Sequence, residues 1–176
     1  EFAPSKNYVG FTAPDAKTIK VSANGSSVID FYYTRNKYSV TVSKGTGISE
    51  VTPSTGSLEG EYYFESELTL STTTINGYRF GKFTAVSGLT DANLTASQKS
   101  VTFTIPASNV EIGVSAIANQ YKVIFDANTP GTSTVSGMQT EIVATFDQSI
   151  KDSALIEPTA IGYAFVGYST EKTYSV

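Results

Sequence analysis

Two short segments of this chain occur twice, and no other feature restricts its fold as much. Asn36-Lys37-Tyr38-Ser39-Val40-Thr41-Val42 is answered by Asn119-Gln120-Tyr121-Lys122-Val123-Ile124-Phe125, with the tyrosines 83 residues apart. Gly77-Tyr78-Arg79-Phe80 is answered by Gly162-Tyr163-Ala164-Phe165, 85 residues further on. Two anchors at nearly one offset predict successive modules, each of which must close its own hydrophobic face. Boundaries are expected at Asn36 and near Asn119, dividing the chain into 1–36, 37–119 and 120–176. Neither boundary carries a Gly/Ser-rich or Pro-rich linker, so the modules are expected to join stiffly.

The first anchor predicts the opening strand of a module. Tyr38, Val40 and Val42 alternate with Ser39, Thr41 and Ser43, and Tyr121, Val123 and Phe125 alternate with Lys122 and Asp126. That period of two puts apolar side chains on one face and polar ones on the other. The second anchor opens a later strand, its glycine supplying an unusual backbone angle and its aromatic pair filling the core. Further strands are expected at Leu68–Ser71, Val101–Ile105 and Val110–Ala118, the last two joined by a turn over Pro106–Asn109. Asn24-Gly25 predicts a hairpin between Thr18–Ala23 and Ser27–Thr34. From Asp147 to Pro158 the pattern changes: Ser149 and Asp152 resemble a capping box, Ile150 and Ala154 share a face, and Pro158 terminates. This predicts a helix of about two turns. The fold class is therefore mostly β, with one short helix in the C-terminal module.

Composition agrees. Charged residues make up 16% of the chain, against about 25% in ordinary domains, and Ser and Thr together supply roughly a quarter of it. Hydroxyls and β-branched side chains suit half-buried strands and compete with helix formation. The net charge is −4 with 12 Lys and Arg, so no basic stripe exists to bind nucleic acid or an anionic membrane surface. Apolar runs are too short to insert in a bilayer. The chain has no His and no Cys. Ser-His-Asp and Cys-His catalysis and His- or thiolate-held metals are thereby excluded. The absence of cysteine also fits the cell surface of a Gram-positive bacterium, and no cofactor is expected.

What chemistry remains rests on carboxylates, lysines and tyrosines. Glu59, Glu61, Glu65 and Glu67 fall in one segment, where a glycosidase-like pair competes with a solvated strand face; the solvated face is expected. Asp91 and Asn93 offer too few oxygens for calcium and are expected to serve a turn. Lys44 and Asn119 are the candidates for a Lys–Asn isopeptide bond, against which a strand-end lysine guarding a sheet edge is the simpler reading. No catalytic, metal or cofactor residue is assigned. Adjacent tyrosines, Tyr32-Tyr33 and Tyr62-Tyr63, must place one ring of each pair outward. Tyr33, Tyr62 and Tyr63 are the candidate ligand contacts.

Tyr121-Lys-Val-Ile-Phe-Asp-Ala-Asn128, the strand from Thr140 to Phe146, the short helix and Gly162-Tyr-Ala-Phe-Val-Gly-Tyr168 together resemble the internalin B-type B repeat (the Listeria–Bacteroides repeat). Tyr168 stands where that family usually has Trp. Lys37 to Asn119 resembles a divergent form of the repeat, ending in Phe103-Thr-Ile-Pro-Ala-Ser-Asn109 and a final strand. Gly10 to Asn36 resembles the closing strands of a mucin-binding-type surface repeat. The resemblance implies tandem β-grasp-like modules on a secreted or wall-anchored protein, with 1–36 closing a preceding repeat and 120–176 cut short before its last strand. It supplies no catalytic residues. The function implied is a structural and adhesive spacer or stalk of a bacterial cell-surface protein, not an enzyme, with neighbouring repeats as its partners. The alternative is a module binding host glycan or protein through exposed tyrosines. Unpaired strand edges at the ends predict strand-mediated self-association.

Overall fold

A computed structural model describes residues 1–129, 133–151 and 154–171 of the chain. The fold is mostly β, with 44% of residues in strands and 2% in helix. The chain forms two compact units, Glu1–Ile117 and Ala118–Val176.

The first unit packs two four-stranded sheets around one core. One sheet runs β5 (Glu61–Tyr63), β3 (Lys37–Lys44), β10 (Val110–Ala118) and β7 (Tyr78–Ser87). The other runs β4 (Ile48–Pro53), β6 (Glu67–Thr74), β9 (Ser100–Thr104) and β8 (Thr95–Ser97), all antiparallel. The period of two in β3 does what the sequence predicts: Val40 is buried, and Thr41, Ser43 and Lys44 are exposed. β3 pairs antiparallel with β5 over its first residues, then parallel with β10, Val110 opposite Val40 and Ile112 opposite Val42. Leu68, Leu70, Val101, Phe103, Ile105 and Val51 meet that layer from the second sheet's side. One polar group is buried with them: Thr72 donates its hydroxyl to the Glu50 carbonyl at 2.8 Å, which removes the desolvation penalty of an unpaired hydroxyl.

β3 passes into β4, and so from one sheet to the other, through Gly45-Thr46-Gly47. Gly47 has φ +86, and a Cβ there would stand 2.3 Å from the Tyr78 ring. The residues before β3 belong to the same compact unit. They form a two-stranded ribbon, β1 (Phe11–Thr12) against β2 (Thr34–Arg35). The Asn36 amide donates to the Gly10 carbonyl at 2.9 Å, and Phe11 meets Phe64 edge-on at 5.7 Å. The Asn24-Gly25 turn is present, with Gly25 at φ +73 and its amide on the Ser22 carbonyl. The two strands expected to flank it, Thr18–Ala23 and Ser27–Thr34, are irregular except for Thr34. An isolated hairpin has no sheet to bury against, and a turn signal alone does not hold one together.

In the second unit β11 (Gln120–Ile124) pairs antiparallel with β13 (Glu141–Thr145), and β12 (Val135–Ser136) with β14 (Thr159–Ala160). All twelve buried hydrophobic residues among those described lie in the first unit. The second unit therefore has aromatic clusters but no enclosed core. The helix expected over 147–158 falls partly on residues 152 and 153, which lie outside the described residues. Its described N-terminal flank holds a turn, Gln148 N to Thr145 O, and among the described residues there is no helix of two turns. With Ile150 and Ile156 37% and 54% exposed, the amphipathic stripe lacks the packing that would stabilise so short a helix.

The repeated anchors are repeated in three dimensions. Phe64 N donates to Asn36 O at 2.9 Å, and Phe146 N to Asn119 O at 2.8 Å. Tyr38 meets Phe64 edge-on at 6.5 Å, and Tyr121 meets Phe146 edge-on at 6.4 Å. The residue after each phenylalanine takes a left-handed backbone, Glu65 at φ 62 and Asp147 at φ 59. Gly77 and Gly162 have φ +88 and +82, and each is followed by a tyrosine whose amide closes a turn, Tyr78 N to Ile75 O and Tyr163 N to Ala160 O, both 3.2 Å.

Two glycines separate backbone strain from crowding. Gly10→Ala must adopt φ +80 and also place a methyl 2.2 Å from the Phe64 ring, whereas Gly25→Ala meets nothing within 4 Å. The left-handed conformation costs about 1–2 kcal/mol and overpacking adds about 1–3. Urea denaturation is expected to show Gly10→Ala destabilising the first unit well beyond Gly25→Ala. Equal effects would mean that residues 1–36 do not pack on Phe64.

Candidate functional site

The adjacent tyrosines divide as strand geometry requires. In β5, Tyr62 turns inward at 9% exposure and Tyr63 outward at 50%. The Tyr62 hydroxyl is shared between the Ser57 carbonyl at 2.8 Å and the Thr55 carbonyl at 3.1 Å. Its role in this position is to fasten the loop before β5 to the core, and it is not part of an exposed platform. Tyr33 is half-buried, donates to the Lys6 carbonyl and meets Tyr8 edge-on at 4.9 Å. The outward rings are each approached by a cation: Lys37 Nζ lies 4.9 Å from the Tyr63 centroid and Lys17 Nζ 5.7 Å from that of Tyr32. Such contacts cover a ring face that a ligand would otherwise use.

The acidic candidates do not converge. Glu61 lies in β5 and Glu67 in β6, which belong to different sheets, while Glu59 and Glu65 occupy turns at φ 62; all four are exposed. Asp91 ties the 3₁₀ turn of Asp91–Asn93 to strand β7, and Asn93 caps the same turn. Asp91 Oδ1 accepts from Ala85 N at 2.7 Å, and Asn93 Oδ1 from Thr90 N at 2.9 Å. Among the described residues no three acidic side chains come together as a cation site. Lys44 belongs to the first unit and Asn119 to the second, where the Asn119 amide donates to the Tyr121 hydroxyl at 3.3 Å. Among the described residues no helix is long and apolar enough to cross a membrane.

A concavity lies in the second unit, and none of the three tyrosines lines it. It is an open groove of about 750 Å³ lined by Val123, Phe125, Leu155, Phe165 and Tyr168 among others. Phe125 and Phe165 each meet Tyr168 edge-on, at 5.0 and 5.1 Å. Its walls are mixed: aliphatic and aromatic side chains share the lining with Asp126, Asn128 and Glu171. The signal for it in the sequence was the aromatic content of 121–125 and 163–168.

Tyr62 gives the one titration with a structural consequence. Burial raises its pKa, because the phenolate would lose solvent and face two carbonyl oxygens with no donor. The neutral form is favoured on folding, so this contribution is complete below the unfolded tyrosine value of about 10 and is lost as pH rises through the higher folded value. Tyr62→Phe is expected to lower stability at pH 7 by about 0.5–1.5 kcal/mol and to flatten the loss above pH 10. Parallel alkaline melts for the two proteins would refute this.

Compared with protein-family models, with curated proteins and with solved structures, the chain finds no match.

Proposed function

We propose that the chain is a structural and adhesive repeat segment, a stalk or spacer, of a bacterial cell-surface protein, built from tandem β-grasp-like modules. The observation that carries this reading is the recurring corner: Asn36, Tyr38, Phe64, Glu65 and Gly77 return as Asn119, Tyr121, Phe146, Asp147 and Gly162 with matching bonds, ring contacts and backbone angles. A corner kept through two divergent sequences serves the fold of a module, and tandem modules serve reach. Hydroxyl-rich outer strand faces keep such an array soluble in an extracellular setting with little charge. Neighbouring repeats are the partners this reading assigns, and it assigns no reaction.

Parallel pairing of β3 with β10 supports the mechanical part of the proposal. The N-terminal end of β3 and the C-terminal end of β10 lie at opposite ends of one ladder. Tension applied there loads the ladder bonds together in shear. Lys37→Cys with Ile117→Cys gives handles for that geometry, and Lys37→Cys with Ser108→Cys gives handles at one end of the pair, where the bonds open singly. Single-molecule pulling is expected to give a severalfold higher unfolding force for the first pair. Equal, low forces would remove the stalk reading.

Tyr63 favours a second reading, a module for host glycan or protein, because its ring remains 50% exposed on the edge strand β5. A glycan array is then expected to show saturable binding that Tyr63→Ala abolishes and Tyr62→Phe leaves intact. Binding indifferent to Tyr63 would exclude it.

A further inference from the structure

A glycine amide has no Cβ to keep it away from the side-chain carbon of an asparagine that precedes it. The chain has eight asparagines, and only Asn24 and Asn76 precede glycine. The structure holds these two pairs in opposite ways. Asn76-Gly77 is clamped between Thr74, which ends β6, and Tyr78, which opens β7. The Ile75 amide donates to the Gly47 carbonyl at 3.0 Å, and the Tyr78 amide to the Ile75 carbonyl at 3.2 Å. The Tyr78 ring packs over Gly47, where a Cβ would stand 2.3 Å from it. Since β6 and β7 belong to different sheets, rotating the backbone between them would disturb both.

Asn24-Gly25 lies in the exposed stretch between β1 and β2, with no strand on either flank. The Gly25 amide donates to the Ser22 carbonyl at 3.2 Å, the long end of the normal range. A Cβ built on Gly25 meets nothing within 4 Å, so the approach to its nitrogen is open. The side-chain oxygen of Asn24 is meanwhile held. Ser26 N donates to Oδ1 at 3.1 Å, and Ser26 Oγ donates to the same oxygen at 2.7 Å. Two donors on one amide oxygen withdraw electron density from Cγ. They also stand where negative charge collects when Cγ is attacked, which is the arrangement of an oxyanion hole.

We propose that Asn24 is a site of self-catalysed modification, at which the Gly25 nitrogen attacks and Ser26 activates the target. The Gly25 nitrogen bonds to Asn24 Cγ and closes a cyclic imide. The Cγ–Nδ2 bond breaks, and Nδ2 leaves as ammonia with the proton that the Gly25 amide gives up. Water then opens the ring. Attack at Cγ leaves an ordinary aspartate; attack at the main-chain carbonyl leaves isoaspartate, its backbone routed through Cβ and Cγ. Either product adds one negative charge to a chain of net charge −4. The irregular flanks of Asn24 can take up the extra backbone atom of isoaspartate. The same change at Asn76 would lengthen the link that seats Tyr78 on Gly47.

The test holds the full chain at neutral pH and follows each asparagine by peptide mapping with mass spectrometry. Electron-transfer fragmentation distinguishes isoaspartate from aspartate. Conversion to acid is expected at least about tenfold faster at Asn24 than at Asn76, whose turn withholds the reactive geometry. In urea the two rates are expected to converge, with Asn76 rising to meet Asn24. Ser26→Ala removes the hydroxyl donor and is expected to slow Asn24 severalfold, whereas Ser26→Thr keeps the hydroxyl and the parent rate. Equal rates at Asn24 and Asn76 in the folded chain, an Asn76 rate that urea does not raise, or a Ser26→Ala chain that reacts as fast as the parent would each overturn the proposal.

Discussion

The first unit depends on the pairing of β3 with β10. These strands lie about 70 residues apart in sequence, yet Val40 sits opposite Val110 and Val42 opposite Ile112 in one continuous ladder. That pairing carries Val110, Ile112 and Val114 into the core, where Leu68, Leu70, Val101 and Phe103 of the other sheet pack against them. A buried aliphatic side chain stabilises by about 1.5–3 kcal/mol, so placing three of them through one strand commits a large share of the unit's stability to a single contact between its ends. The second unit has the opening half of this arrangement, β11 on β13, and among its described residues nothing buried.

The corner around Tyr38 and Tyr121 is the feature the sequence made most legible. Alternation predicts that both tyrosines share the apolar face of their strands; Tyr38 is half-buried against Phe64, whereas Tyr121 meets Phe146 with its ring still 50% exposed. The strands at Val101–Ile105 and Val110–Ala118 were equally readable, because strict alternation leaves one face to bury. Ambiguity entered where local signals stood without tertiary support. Asn24-Gly25 does turn the chain, but Val21 and Val28 remain 72% and 75% exposed, so nothing fixes the flanking segments as strands. The stretch around Ile150 has a helical stripe and no surface to set it against. Periodicity states which face seeks burial and is silent on whether a surface exists to bury it.

The candidate ligand contacts follow the same lesson. Adjacent tyrosines guarantee one outward ring, but not which ring or what approaches it. Register decided that Tyr62 enters the core, where its hydroxyl holds two carbonyls of the preceding loop, and that Tyr63 meets Lys37. The groove of the second unit was legible only as an excess of aromatic residues along 121–125 and 163–168. Its location beside β11 follows from the strand pairing, which composition does not encode.

Joining β3 to β10 also sets the order in which the unit can become stable. A chain made or exported from its N-terminus presents β3 long before Val110 arrives, so the ladder that encloses Val40 cannot form until nearly the whole unit has emerged. Closing so long a loop makes folding slow compared with a helical domain of similar size. In that interval the β3 edge is open to any neighbouring chain. Gly45-Thr46-Gly47 allows β4 to fold back early and begin the second sheet with β6, and the hydroxyls of Ser39, Thr41 and Ser43 keep the outer face hydrated meanwhile. The topology thus makes the emergence of β10 the moment at which the first unit locks.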